Sequence, residues 1–189
     1  MLYRIVRLVI KPFFFILYNI RVEGIDNIPK EDGYIVCGNH TKAIDPVLLA
    51  AALPCQIHFM AKIELFRNKI LGILLNAVGA FPIKRGEPDL KSIRTSLRLL
   101  QSNKNIGIFP EGTRNISDEL KAEPGIAMLS IKSKKGILPV SIKTSYKFFK
   151  RTRIIIGDVI YLNEFYNTKL KNNDYINISL EIMKAIKSL

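Results

Sequence analysis

The stretch of sequence that decides the fold is YIVCGNHTKAIDPVLLAAAL, residues 34–53. It begins as a short apolar run ending at Gly38, continues as a polar loop, and becomes apolar again over 46–53. A short apolar run followed by a loop and a helix is typical of a buried strand in a parallel sheet with its crossover helix. Ligand sites in such sheets lie at the carboxyl ends of strands. The polar loop is therefore predicted to carry chemistry.

The same alternation continues along the chain. Strand-like apolar runs occur at 56–62, 79–84, 105–110, 136–143 and 153–162, and helical patterns at 64–77, 88–102, 124–134 and 175–188. Strands alternating with helices predict an α/β fold with a mainly parallel or mixed sheet flanked by helices. The length of 189 residues fits one domain, predicted over 21–189, preceded by a separate segment, 1–20.

The net charge is +13, from 29 Lys and Arg against 16 Asp and Glu. Such a surplus suits nucleic acid, anionic lipid or a phosphorylated substrate, although a basic surface without any such partner explains it too. A nucleic-acid-binding module should interleave exposed aromatics with basic residues. Here aromatics cluster in apolar runs such as 13–15, so no nucleic-acid partner is expected. Cys37 and Cys55 lie in apolar runs without metal-ligand spacing, so neither a metal nor a disulfide is expected.

The first segment, MLYRIVRLVIKPFFFILYNI, carries Arg4, Arg7 and Lys11 on one helical face and apolar residues elsewhere. This pattern predicts an amphipathic helix that lies in the headgroup layer of an anionic membrane, with Pro12 kinking or dividing it. The three cations would cost roughly 8–10 kcal/mol at the bilayer centre, which disfavours a membrane span. A helix packed on the core with a solvated basic edge is the alternative.

Polar clusters follow three of the strand-like runs. After the first, His40 and Asp45 are five residues apart, close enough for the carboxylate to fix the imidazole tautomer and leave Nε2 as a base. An Asp45 that caps the helix beginning at Pro46, beside an incidental His40, explains the spacing equally well.

The second cluster contains two cations, Lys84 and Arg85, which suit a phosphate, although an ordinary basic strand end has the same appearance. The third cluster, FPEGTRN (109–115), combines an acceptor, a tight turn, a hydroxyl and a cation. Its candidate residues are Glu111, Gly112, Thr113 and Arg114. A polar turn without function remains the alternative for that cluster.

Taken together, these blocks resemble the phospholipid and glycerol acyltransferases, in particular bacterial 1-acyl-sn-glycerol-3-phosphate acyltransferases. NHTKAID (39–45) is similar to the family's NHxxxxD block, GAFPIKRG (79–86) to its phosphate-binding block and FPEGTRN to its FPEGTRS block. AKIELF (61–66) and ILPVSI (137–142) also match in order and spacing. Asn115 departs from the usual serine, and 122–129 only loosely follows the family pattern.

The resemblance implies transfer of a fatty acyl group from a thioester to the sn-2 hydroxyl of 1-acyl-sn-glycerol 3-phosphate. His40 would be the general base and Asp45 would orient it, Arg85 and Arg114 would bind the phosphate, and Glu111, Gly112 and Thr113 would shape the glycerol pocket. Lys84 is a further binding candidate, and Asn39 a candidate oxyanion donor. No cofactor is implied beyond the donor substrate, acyl-CoA or acyl carrier protein.

The expected location is peripheral, on the cytoplasmic face of the cell membrane. Two other interpretations stay open: a different acceptor such as glycerol 3-phosphate or another lysolipid, and an inactive membrane-surface scaffold with the same fold. The apolar stretch 69–80 is interpreted as core, as part of the membrane face, or as the lining of an acyl tunnel.

Overall fold

The computed structural model describes residues 2–31, 33–84, 89–115 and 119–189. Within these ranges, seven strands form one sheet. They are β1 (Ile20–Glu23), β2 (Ile35–Gly38), β3 (Ile57–Lys62), β4 (Phe81–Ile83), β5 (Asn105–Ile108), β6 (Ile137–Lys143) and β7 (Thr152–Ile156). Six α-helices accompany them. They are α1 (Leu2–Leu17), α2 (Asp45–Ala52), α3 (Lys69–Ala77), α4 (Leu90–Gln101), α5 (Gly125–Ser133) and α6 (Asn172–Ser188).

The strand order is β1-β7-β6-β2-β5-β3-β4. Every neighbouring pair is parallel except β6 and β7, which are antiparallel. The predicted mixed, mainly parallel α/β sheet flanked by helices is therefore confirmed. Because β6, β2 and β5 are adjacent and parallel, the loops that follow them meet at one edge of the sheet.

Two apolar clusters cover the two faces of this sheet. One contains Leu48 and Leu49 of α2 and is joined by Phe14 and Phe15 of α1. The other contains Leu100 of α4 together with side chains of α5 and α6. The molecule thus has three layers, which explains why the central strands read as continuous apolar runs.

Four local details differ from the sequence predictions. The helix predicted over 64–77 is two pieces, a 3₁₀ turn at Ile63–Arg67 and then α3, whose first turn is capped by Asn68. The strand predicted over 153–162 ends at Ile156, and Ile160 instead bridges back to Ile137. The short strand β1 was not predicted. Helix α1 runs through Pro12 without dividing.

Helix α1 uses its two faces in an unexpected way. Arg7 donates a hydrogen bond of 2.9 Å to the Pro54 carbonyl, at the end of α2. Leu8, Val9, Phe13 and Ile16 are all more than half exposed on one helical face. Arg7 therefore contacts the rest of the protein, and the outward face beside it is apolar. The proposed role of 1–20 as a membrane anchor, and its boundary at residue 20, stay predictions.

Helix α3 is not a core helix, since its only buried residue is Gly72. Ile70 is 83% exposed and Ile73 is 71% exposed. Among the four described ranges of the chain, no helix has both the length and the apolar character needed to cross a membrane.

Candidate active site

The polar residues of the site follow the three adjacent central strands. The first cluster begins directly after β2, the FPEGTRN segment follows β5, and Tyr146 comes three residues after β6. All three loops lie at the carboxyl edge of the sheet because these strands are parallel. The sequence predicted the first two loops and missed the third.

His40 and Asp45 form the predicted pair. His40 Nδ1 lies 2.9 Å from Asp45 Oδ2, and the two residues are 5% and 0% exposed. A carboxylate is an acceptor only, so Nδ1 carries the proton, and Nε2 is the nitrogen available to accept one. The geometry therefore suits a histidine base that is oriented by a buried carboxylate.

The Asp45 carboxylate is fully engaged with donors. Oδ2 also accepts the backbone N–H groups of Thr41 and Lys42, each at 2.8 Å, and Oδ1 accepts the Tyr146 hydroxyl at 2.8 Å. The alternative of a helix N-cap is wrong, since Ile44 occupies the N-cap position of α2 and the Asp45 carboxylate accepts from groups outside the helix. A buried negative charge of this kind persists because several donors compensate its lost hydration.

Residues of the third cluster contact both the backbone and the ring of His40. Glu111 Oε2 accepts the His40 backbone N–H at 2.8 Å, and the Asn115 N–H donates to the His40 carbonyl at 2.8 Å. The Phe109 ring stacks on the imidazole, with 4.3 Å between ring centres. Burial raises the pKa of Glu111, and the His40 N–H opposes that shift. Glu111 was predicted to shape a glycerol pocket; the structure places it against the main chain of the histidine.

The rest of the third cluster faces outward. Gly112 adopts a left-handed φ of 68°, and a Cβ there would lie 2.8 Å from Glu123 Cγ, so glycine is required. Thr113 and Arg114 are exposed just beyond this turn. They are thus available to a ligand at the edge of the sheet that carries His40.

The second cluster lies farther along the same edge. Exposed Lys84 follows β4, and its backbone N–H donates to Asp89, the N-cap of α4. Arg85 lies outside the described residues. In the strand order β4 is three positions from β2, or about 14 Å at the usual spacing between strands. Lys84 therefore contributes to a phosphate site beside His40 only if its side chain extends along this edge toward β2.

Asn39 has a structural contact. Its side chain donates to the Ile142 carbonyl at 3.1 Å and accepts the Ile142 N–H at 2.7 Å, and thus links the loop that carries His40 to β6. Its assignment as an oxyanion donor stays a prediction.

Neither cysteine resembles a nucleophile. Cys37 is fully buried, and burial raises the pKa of its thiol well above the usual value. Cys55 is half-buried and accepts a hydrogen bond from the Tyr34 hydroxyl. Within the ranges that the structure describes, no three His, Cys, Asp or Glu side chains come together as a metal site.

An apolar cavity of about 300 Å³ lies beside the segment that follows His40. Ala43, Pro46 and Val47, which follow His40 closely in the chain, line it together with Leu71 and Leu75 of α3. Residues of α1 and β3 also contribute to its lining. Apolar pockets with a few polar groups at one end are typical of ligand sites.

Comparisons with known proteins agree with this geometry. The acyltransferase family model matches residues 19–143. The 1-acyl-sn-glycerol-3-phosphate acyltransferase of Bacillus subtilis is 32% identical over 152 residues, which cover 77% of this chain and 76% of that protein. The enzyme of the same name from Borreliella burgdorferi is 29% identical, with 86% and 72% covered.

A solved structure shares the fold. The crystal structure of the 1-acyl-sn-glycerophosphate acyltransferase from Thermotoga maritima superposes with a TM-score of 0.69 at 21% identity, over 99% of this chain and 82% of that one. The family match covers the loops that carry His40, Asp45 and Glu111. The chain belongs to the acyltransferase family.

Proposed function

We propose that this protein acylates 1-acyl-sn-glycerol 3-phosphate (lysophosphatidic acid) at its sn-2 hydroxyl, using an acyl thioester, and so forms phosphatidic acid. The observation that carries the proposal is the buried His40–Asp45 pair at the carboxyl edge of the sheet. The named relatives, all 1-acyl-sn-glycerol-3-phosphate acyltransferases, support the choice of acceptor.

The proposed reaction needs one base and no covalent acyl-enzyme. His40 Nε2 takes the proton of the acceptor hydroxyl as the oxygen attacks the thioester carbonyl. The tetrahedral intermediate then collapses, the carbon–sulfur bond breaks, and the imidazolium returns the proton to the departing thiolate. Asp45 stabilises the imidazolium through its 2.9 Å contact with Nδ1. General-base assistance of this kind is worth about 10²–10⁴-fold in rate.

The acceptor phosphate is assigned to cations at the same edge. Arg114 is exposed beside the Gly112 turn, and Lys84 follows β4. Arg85 is retained from the sequence as a phosphate ligand, because a guanidinium can bind two phosphate oxygens at once. Thr113 is assigned to the glycerol backbone. Neither a metal nor a dissociable cofactor enters this scheme.

The cavity between α2 and α3 is assigned to an acyl chain. Its wall begins at Ala43 and Pro46, which flank Asp45, so a chain lying there would leave its carbonyl end near His40. Each buried methylene contributes about 0.8 kcal/mol, so a chain that fits the cavity binds more tightly than one too short to fill it.

The membrane surface is assigned to the exposed apolar faces of α1 and α3. Leu8 and Ile16 of α1 are 77% and 70% exposed, and Ile70 of α3 is 83% exposed. Both of these helices contribute to the lining of the cavity. The apolar faces would enter the headgroup boundary, while the +13 charge favours an anionic leaflet. We place this contact on the cytoplasmic face of the cell membrane, as a peripheral one.

An assay matrix tests the function. Acyl-CoA and acyl carrier protein donors are crossed with lysophosphatidic acid, glycerol 3-phosphate and another lysolipid, and products are identified by mass spectrometry. The proposal expects phosphatidic acid as the main product. If glycerol 3-phosphate were acylated preferentially, it would be the acceptor instead of lysophosphatidic acid. If no donor–acceptor pair gave a product, an inactive scaffold would be favoured.

The membrane contact needs its own measurement. Leu8→Ser with Ile16→Ser in the full chain should weaken co-sedimentation with anionic vesicles and lower activity on bilayer-embedded acceptor more than on detergent-dispersed acceptor. Tyr161→Ser, which removes an exposed side chain elsewhere, is the matched control. Equal vesicle binding by the double variant and the control would remove α1 from the membrane surface.

A further inference from the structure

Tyr146 occupies an unusual position next to the candidate catalytic pair. Its hydroxyl donates a 2.8 Å hydrogen bond to Asp45 Oδ1, the oxygen that faces away from His40. Tyr146 lies beyond residue 143, where the family match ends. It belongs to the connection between β6, which lies beside the central strand β2, and β7.

The backbone around Tyr146 is arranged to aim this side chain. Tyr146 has a left-handed φ of 59°, which an aromatic residue rarely adopts and which persists only where surrounding contacts enforce it. Thr144 supplies one such contact, since its hydroxyl oxygen accepts the Tyr146 N–H at 3.0 Å and is itself 2.8 Å from the Thr152 hydroxyl. The Lys42 ammonium lies 4.8 Å from the ring centre on the other side.

We propose that Tyr146 is a positioning residue that acts on His40 through Asp45. The carboxylate receives three donors on Oδ2 and the tyrosine on Oδ1, so Tyr146 fixes the plane in which Oδ2 meets the imidazole. It also withdraws negative charge from the carboxylate, and so limits how strongly Asp45 stabilises the imidazolium. This inference rests on the proposed base role of His40.

The tyrosine stays a donor over the working range of pH. Burial raises the pKa of Tyr146 well above its usual value, and the hydrogen bond to Asp45 raises it further. Among the described residues, the other charged groups around the pair are Lys42 on the same loop and Glu111, which accepts the His40 N–H. Neither is altered when only the Tyr146 hydroxyl is removed, so a change in pH dependence can be assigned to that hydroxyl.

The test is Tyr146→Phe, which keeps the ring over Lys42 and removes only the hydroxyl. We expect kcat/KM to fall about three- to thirtyfold, and the acid limb of its pH profile to move up by about half a unit to one unit, because an unshared carboxylate holds the imidazolium more strongly. Tyr166→Phe is the control, since it removes a buried hydroxyl that has no hydrogen-bond partner among the described residues.

The outcomes separate the possibilities. A uniform loss of activity without a shifted acid limb would make Tyr146 merely structural and overturn the inference, as would a profile identical to wild type. If Tyr146→Phe unfolds, Thr144→Val, which removes the acceptor of the Tyr146 N–H, provides the second measurement and should move the limb in the same direction. An active His40→Ala protein would instead overturn the proposed base itself.

A different observation concerns the residues that follow Tyr146. Phe148 and Phe149 are 60% and 69% exposed, and Lys147, Lys150 and Arg151 beside them are exposed as well. This loop, 147–151, adjoins the end of α1. The Phe149 N–H donates to the Leu17 carbonyl at 2.7 Å, and the Phe148 ring packs edge-on against Tyr18.

We infer that loop 147–151 is a second contact with an anionic bilayer, continuous with the apolar face of α1. Two exposed aromatic rings flanked by three cations match the interfacial layer, where rings lie among the acyl chains and cations meet anionic headgroups. An acidic carrier protein would account for the cations but would leave both phenylalanines exposed. The assignment rests on the proposed membrane surface.

The test is Phe148→Ser with Phe149→Ser in the full chain, measured with vesicles of phosphatidylcholine containing phosphatidylglycerol. Binding should weaken about tenfold or more relative to wild type and to Tyr161→Ser, because two apolar side chains no longer enter the bilayer. Unchanged vesicle binding by the double variant would overturn the inference. A selective loss of binding to acyl carrier protein would show that the loop contacts that protein instead. If the wild-type protein did not bind these vesicles, the whole proposed membrane surface would be wrong.

Discussion

Replacing Asp45 by Asn tests the electrostatic side of the catalytic pair. The substitution keeps the shape of the side chain but removes its charge. One orientation satisfies the site, with the amide oxygen accepting from His40, Thr41 and Lys42 and the amide nitrogen turned toward the Tyr146 hydroxyl. In the opposite orientation, the amide nitrogen of the substituted side chain would meet the N–H groups of His40, Thr41 and Lys42, so donors would face donors. The histidine tautomer is therefore preserved.

The loss in rate then comes from the missing charge. A carboxylate 2.9 Å from an imidazolium contributes about 6 kcal/mol at an effective dielectric constant of about 20. Converted into a rate factor, that energy exceeds the roughly 10²–10⁴-fold that general-base catalysis contributes. The contribution of general-base catalysis therefore sets the upper limit on the loss of rate. We expect kcat to fall about 10²–10³-fold, with the acid limb of the pH profile moved to lower pH, opposite to the effect of Tyr146→Phe.

The assay is the initial rate of thiol release from acyl-CoA with detergent-dispersed lysophosphatidic acid. Asp174→Asn is the matched control, because Asp174 also accepts a backbone N–H near a helix N-terminus but lies in α6. Stability should fall by about 1–3 kcal/mol through weaker hydrogen bonds to the two backbone amides. A folded Asp45→Asn protein with more than about a third of wild-type kcat would refute the reasoning.

Three further predictions concern the ligand side of the site and its stability. Arg114→Ala should raise the KM for lysophosphatidic acid about tenfold or more with little effect on the donor KM, and Arg114→Lys should rescue it poorly, as steady-state kinetics would show. Ala50→Phe, which fills the cavity wall, should shift the preference toward shorter acyl chains in a donor-length series; an unchanged length profile would remove the cavity from acyl binding. Since burial raises the pKa of Glu111 above 4.5, the folded protein keeps that proton to higher pH than the unfolded chain, so stability decreases as pH rises through this window. Glu111→Gln should flatten that part of a plot of Tm against pH, and an unaltered slope would contradict the assignment.

The sequence predicted the central part of the fold because those strands are buried on both faces. Apolar runs ending in polar loops located β2, β5 and β6 closely. Strand β1 was not predicted from the sequence because it is short, lies at the sheet edge, and alternates apolar with charged residues. Glu23 of this strand is explained by pairing across strands, since Arg153 binds it with two hydrogen bonds of 2.8 Å.

The chemical residues of the site were predictable in identity but not in all of their contacts. His40 and Asp45 are near neighbours in the chain, so their contact follows from local spacing. The contact between Glu111 and the His40 N–H joins residues 71 positions apart, and only the strand order brings them together. Tyr146 carried one signal, a polar stretch after the apolar run 136–143, but its bond to Asp45 depends on a left-handed backbone that no sequence pattern indicated.

The direction of the α1 faces could not be obtained from periodicity. The pattern separates cations from apolar residues, yet it does not say which set meets the rest of the protein. Arg7 turns inward because the Pro54 carbonyl at the end of α2 accepts its hydrogen bond. Exposed Leu8 and Val9 then form the outward face.

The most direct test of the central claim compares the two histidines of the chain. His58 is half-buried and its Nδ1 lies 2.8 Å from the Gly79 carbonyl, away from the acid–base pair, so His58→Asn is the matched control for His40→Ala. The measurement is formation of phosphatidic acid from lysophosphatidic acid and an acyl thioester by purified, folded protein. We predict that His40→Ala loses at least about 10²-fold in kcat, whereas His58→Asn remains close to wild type. Retention of more than a few percent of wild-type turnover by His40→Ala would contradict the assignment of His40 as the base.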